Sequence, residues 1–315
     1  MKKILLTATA FLMLFSCQND TVETTQNAAA LTKRSCASQD VLAAQLKADP
    51  TLALRMNQIE AFTQNAMLTN RLVNGKVEIP VVVNVLYRTT AENISLTQIQ
   101  SQINVLNQDF NATNSDFNKV PSLFSGVKAN VGITFVLDQV IRKSTTKTSW
   151  GTTDTMKKTT YGGIAPTSPT TKLNLWVCTI GGGILGYAQF PGGASSTDGV
   201  AIDSKYVGLS GTASAPYNLG RTATHEVGHW MNLRHIWGDA NCGSDLVTDT
   251  PTHNDANYGV PAYPHYSTCS GTPVEMTMNY MDYTDDNAMY MFSNGQKSRM
   301  SAIFVSGGAR SGFGI

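Results

Sequence analysis

The sequence predicts an α+β fold: a sheet bearing two helices, followed by a loop-rich half that one further helix closes. Three observations carry this. Strand-like runs recur through the first two hundred residues with only one strongly periodic helix among them. Residues 238–275 show no period and are crowded with Gly, Pro, Asn and Asp. A helix start then reappears at Ser293.

The elements follow in order. From about 38 to 70 the pattern is helical, with Asp49 then Pro50 as a helix start and Leu52, Ile59 and Phe62 on an apolar face. "TNRLVNGK" ends it, and its Arg71 and Lys76 form a basic joint suited to cleavage between a leader and the main domain. "VEIPVVVNVLY" is a buried strand. "ISLTQIQSQINVLNQDF" is a helix, with Ser95 and Gln98 as a capping box and Ile99, Ile103, Leu106 and Phe110 at helical spacing. "VGITFVLD" alternates as a strand, "LNLWV" is another, "ILGYAQFPGG" is an edge strand running into a turn, and "DGVAID" is a short strand. A helix begins after Asn218 and Gly220. The last helix has a capping box from Ser293 to Gln296 and is expected to end near Gly307, with no further module after it.

The length of 315 residues suits two compact units, or one unit with an attached segment. A net charge of +1 with 14% charged residues leaves no basic field for nucleic acid. No interior run is long and apolar enough to span a bilayer. Lys2, Lys3 and the apolar stretch Ile4 to Phe15 read as a signal peptide over residues 1–17, so the chain is expected to be exported. The stretch ends "LFSC", which resembles a lipobox. Two readings stand: Cys17 is lipidated and tethers the chain to a membrane, or the chain is simply secreted. Residues 18–32 are a polar tether.

Five cysteines occur, at 17, 36, 178, 242 and 269. In an exported chain Cys242 and Cys269, both in the loop region, form the favoured disulfide, and Cys178 is expected to be a buried free thiol.

"HEVGHWMNLRH", residues 225 to 235, holds three of the five histidines. His225 and His229 are four apart, so a helix sets them about 40° from each other on one face. Two imidazoles can then reach one zinc ion, with Glu226 beside them as a general base. His235 is the third ligand if the chain turns first. That turn needs a residue tolerant of the left-handed conformation, and asparagine is the most tolerant after glycine. Downstream, "NYMDY" centres on Met281.

With "GRTATHEVGHWMNLRHIWGD", "DLVTDTP", "NYMDYTDD" and "LGYAQFP", the chain resembles the pappalysin-type metzincins, the cytophagalysin or ulilysin-like peptidase family M43, over residues 33–308. Where that family places Gly in HExxHxxGxxH, this chain has Asn232. The resemblance implies a metzincin-like zincin: a twisted mixed sheet, two long helices above the cleft, and a loop-rich lower subdomain with one C-terminal helix. It implies three segments: signal 1–17, tether and pro-segment 18–75, catalytic domain 76–315. It implies a zinc endopeptidase made as a zymogen, acting on peptide substrates laid along "LGYAQFP". Met281 would be the Met-turn.

The resemblance implies further roles. Cys36, in "KRSCA", would bind the zinc in the zymogen, making the pro-segment the enzyme's own inhibitor, with Arg34 holding the segment in the cleft; the other reading is a disulfide to Cys178. Tyr283 would hydrogen-bond the developing oxyanion, or else is a packed aromatic. Asp286, beside Asp285, would attract Arg or Lys just after the cut, or else is a solvated loop acid. Asp245 and Asp249, with the carbonyls near Thr248 and Thr250, would bind calcium, or else cap turns. The competing function is a surface-binding lipoprotein that keeps the fold without the activity, against which an intact Glu226 speaks.

Overall fold

The computed structural model describes residues 33–68 and 77–313. The expected signal, Cys17, the tether and the basic joint with Arg71 and Lys76 lie outside the described residues.

The expected leader helix is two helices, α1 (Ser38–Ala48) and α2 (Leu52–Leu68). Asp49 ends the first, and its carboxylate accepts from the Thr51 amide and hydroxyl just before the second. The body opens with β1 (Val77–Tyr87), then α3 (Leu96–Phe110), β2 (Ile133–Ser144), β3 (Leu173–Cys178), β4 (Gly186–Ala188), β5 (Val200–Asp203), α4 (Arg221–Trp230) and α5 (Asn294–Ala302). The sheet order is β2-β1-β3-β5-β4. All neighbours pair in parallel except β4, which lies antiparallel on β5 at the edge.

Strand residues alternate between two cores. Val81, Val83, Val85, Leu175 and Ile202 join the α3 and α4 residues Ile103, Leu106, Val227 and Trp230 on one face. On the other, Leu86, Trp176, Cys178 and Tyr187 pack under Trp150, Met156 and Ile164. Helices α3 and α4 therefore cover one face, with α4 against β4 and β5, while Val41 of α1 joins the core on the other.

Two sequence expectations are corrected. The Ser95 hydroxyl accepts from the Gln98 amide, but the Gln98 side chain does not reach back; it donates to the Val207 carbonyl and the Thr212 hydroxyl, tying α3 to a distant loop. The last helix ends at Ala302, five residues before Gly307, because Ile303 leaves the ladder and Arg310 returns its amide to the Ile303 carbonyl. Its capping box at Ser293 and Gln296 is present as expected.

Candidate metal centre

The site grows from α4. The helix places His225 and His229 one turn apart and then stops. Asn232 has φ 73°, its amide bonds to the His229 carbonyl, and the Leu233 amide bonds to Gly228. This is a Schellman ending. The reversal swings His235 back over its predecessors, so the three Nε2 atoms converge: His229 to His225 at 3.2 Å and His229 to His235 at 3.0 Å.

Each outer ring nitrogen is fixed. Nδ1 of His225 faces the Tyr280 carbonyl at 2.7 Å, that of His229 the Leu233 carbonyl at 2.8 Å, and that of His235 the Asp239 carboxylate at 2.5 Å. These acceptors put the protons on Nδ1 and leave three Nε2 lone pairs pointing at one another. A cation held among them would satisfy all three. Burial, and after it the neighbouring imidazoles, pushes His225 well below its ordinary pKa, so it stays neutral as a ligand must.

A fourth donor comes from the leader. Cys36 Sγ and the three imidazoles lie within 4.8 Å of one another. Burial, then the Glu226 carboxylate, pushes the Cys36 thiol well up, so a thiolate here requires a cation beside it. The donor set, three imidazoles and one thiol in a closed pocket, is one that fits tetrahedral zinc.

Glu226 stands beside the cluster without joining it. Its Oε2 accepts from the Ser38 hydroxyl at 2.9 Å and the Cys36 thiol at 3.2 Å. Burial pushes its carboxyl up to about 7, in the range of a group that takes and gives protons near neutrality. A Cβ on Gly186 would sit 3.0 Å from Glu226 Cγ, so the bare glycine lets the acid approach the edge strand. Met281 is fully buried under α4, and a Cβ on Gly228 would meet its sulfur at 2.5 Å. The Tyr283 hydroxyl accepts from the Cys36 amide at 3.3 Å and donates to the Cys36 carbonyl at 3.2 Å, while its buried ring packs beside His235 and Trp237.

The leader enters as a strand. Cys36 pairs with Gly186 in parallel: the Leu185 amide bonds to the Ser35 carbonyl at 2.9 Å and the Ala37 amide to Gly186 at 3.1 Å. Arg34 Nη2 reaches Asp286 Oδ1 at 2.5 Å, its Nε bonds to the Thr284 carbonyl, and its guanidinium lies over Tyr217. Asp286 is fully buried, with the Leu219 amide on its other oxygen at 2.8 Å. It is no solvated loop acid.

Cys242 and Cys269 are joined as expected, and Cys36 and Cys178 are both free, which removes the alternative bridge. At the expected calcium segment, Asp245 is buried, accepts from the Val247 amide and the Thr250 hydroxyl, and is pushed by burial up to about 6. Thr248 is exposed. Asp249 is spent elsewhere: its oxygens take the Ser293 hydroxyl at 2.6 Å and the Gly295 amide at 2.8 Å, at the start of α5. Sequence reasoning missed Ser38, Asp239 and Arg299, whose Nε holds the Asn232 carbonyl at 2.8 Å. Asp239 alone carried a local signal, an acid four residues after a ligand histidine.

Comparison with known proteins agrees with this geometry. The peptidase M43 family model, described as pregnancy-associated plasma protein-A, matches residues 176–305. An extracellular metalloprotease of Pyricularia oryzae is 35% identical over 69% of this chain and 70% of its own length. Extracellular metalloprotease 1 of Coccidioides posadasii is 36% identical over 67% and 70%. Mature mirolysin of Tannerella forsythia, solved with a cleaved peptide, superposes with TM-score 0.74 at 42% identity, covering 76% of this chain and 96% of that one. A promirolysin mutant superposes with TM-score 0.81 at 38% identity, covering 89% and 96%.

Proposed function

Because the chain belongs to the pappalysin family of metzincins and is a zinc metalloendopeptidase, we propose that it is exported as a zymogen, with His225, His229 and His235 holding the zinc and Cys36 closing the fourth position. The observation that carries this reading is the convergence of three Nδ1-anchored imidazoles and the leader thiol on one point. Residues 18–75 then act as tether and pro-segment, and 76–315 as the catalytic domain. When bound, zinc supplies Lewis acidity, which acidifies water and polarises a peptide carbonyl.

The chain's own groups do the rest. Glu226 takes a proton from water in the cleft and hands it to the departing amine. The substrate replaces the leader along β4, using the main-chain groups of Leu185 and Gly186 that the leader now occupies. Tyr283 turns its hydroxyl from the Cys36 backbone to the substrate oxygen. Asp286, freed of Arg34, faces a basic side chain just after the cut, and the leader's own arginine supports that preference. The buried Asp245 carboxylate, with main-chain oxygens near Thr248 and Thr250, is proposed for calcium, since a cation there would restore its charge. Lipidation of Cys17 is the proposed anchor, tested by radiolabelled palmitate incorporation.

The test is cleavage of casein and of a peptide library by the activated chain. Glu226→Ala should abolish cleavage while zinc stays bound, and Asp286→Ala should erase the preference for Arg or Lys after the cut. Wild-type chain that carries zinc but cuts nothing would leave only a binding protein. A calcium-selective chelator should lower the melting temperature if Asp245 holds that ion.

A further inference from the structure

The leader and body exchange charge at a second place. Glu60 of α2 presents its carboxylate to Arg299 of α5, with Nη1 on Oε1 at 2.8 Å and Nη2 on Oε2 at 2.5 Å. Arg299 is only 1% exposed, while the Glu60 side chain that meets it stays 27% exposed at the rim. Burial opposes ionisation of Glu60, yet Arg299, with Arg234 behind it, outweighs burial and holds the carboxyl below its ordinary value. The third donor of Arg299 is spent inside the body, on the Asn232 carbonyl. Among the described residues, its two outward nitrogens therefore hydrogen-bond only to Glu60, in the segment proposed to leave on maturation.

A cavity of about 220 Å³ lies beside the pair. Gln39 and Ile59 bound it from the leader, and Phe190, Arg234 and Asp239 from the body. Its wall is shared with the metal centre, because the Phe190 ring lies 5.3 Å from that of His229 and Asp239 holds His235. The leader passes from Arg34 on Asp286, across Cys36 at the imidazoles, to Gln39, whose amide donates to Asp239 at 2.6 Å. Asp286 thus meets the leader before Cys36 and the cavity meets it after, where the leader has become α1 and α2.

We propose that Arg299, with Arg234, forms a carboxylate-binding subsite for the part of the substrate that precedes the cut. In the zymogen Glu60 fills it, and after maturation an Asp or Glu side chain of the substrate does. This rests on the reading that Asp286 faces the residue after the cut. A buried planar guanidinium deprived of its partner retains a strong demand for a carboxylate, and its fork geometry selects one. A pair that served only to fasten the leader would leave no imprint on substrate choice.

The experiment uses the activated chain and quenched peptides with Arg after the cut. Glu, Gln or Lys is placed in turn at each of several positions before it. Glu at one or two of these positions should raise kcat/KM over Gln by about tenfold, through KM, with the difference shrinking in high salt. Arg234→Gln and Arg299→Lys should each reduce the Glu-over-Gln ratio. Peptides cleaved alike with Glu and Gln at every position would overturn the proposal, as would a ratio untouched by both variants. No cleavage of any Arg-containing peptide would instead overturn the reading on which it rests. Should Arg299→Lys fail to fold, the wild-type ratio and Arg234→Gln still decide.

Discussion

Replacing Asn232 by glycine and by valine should give two proteins of clearly different stability. The residue sits at φ 73° between the second and third imidazoles. Its buried side-chain amide nitrogen finds no hydrogen-bond partner among the described residues. Both replacements delete that amide, so its desolvation cancels in the comparison and the difference reports the backbone. A β-branched residue forced into the left-handed region costs roughly 2–3 kcal/mol. Glycine adopts it freely and loses about 1 kcal/mol through the entropy of the unfolded chain. The glycine variant should therefore be the more stable by about 1–2 kcal/mol, or roughly 2–4 °C in melting temperature for a chain of this length. Zinc content separates them further. If the valine backbone relaxes out of the left-handed region, the Schellman ending opens and His235 leaves the cluster. Calorimetry together with zinc stoichiometry after chelator challenge reads both quantities. A valine variant that melts at or above the glycine variant and still holds one zinc would refute the reasoning.

Three further outcomes are expected. Cys36→Ser removes the soft donor while leaving the Arg34 and Glu60 contacts, so autoactivation should run faster with the leader's attachment only weakened; an unchanged time course on gels would count against the switch. Opening the Cys242–Cys269 bridge by paired serine substitution frees a loop with a sequence separation of 27. The chain-entropy model puts the loss at about 3.5 kcal/mol, measurable by denaturant titration. Gly228→Ala drives a Cβ to 2.5 Å from the Met281 sulfur, and overpacking of this kind costs about 1–3 kcal/mol. A melting temperature equal to wild type would mean Met281 yields more easily than its burial suggests.

What the sequence disclosed divides by range. The imidazole triad was legible because helical period and one left-handed residue fix it within eleven positions. The strands and α3 were legible from alternation and from Ile99, Ile103, Leu106 and Phe110. The burial of Asp286 and the Arg299–Glu60 fork were not, because these partners lie 252 and 239 residues apart and leave no periodic trace. The capping expectation at Gln98 failed for the same reason, since a loop 109 residues away competed for its amide. Asp249 illustrates the reverse: hard oxygens in a bent loop suggested an ion, and the start of a helix took them.

Strand β4 is three residues long. Against it the leader makes two main-chain hydrogen bonds and one from the Ala188 amide to the Ser38 hydroxyl. At about 1 kcal/mol net for each, such a short rail grips any peptide by only about 3 kcal/mol, a millimolar-scale embrace even before the entropy of ordering the guest. Sequence-blind capture is thus weak by design of length alone. Discrimination among guests would then fall to side-chain recesses, and a protein without matching residues would be let go before it is cut.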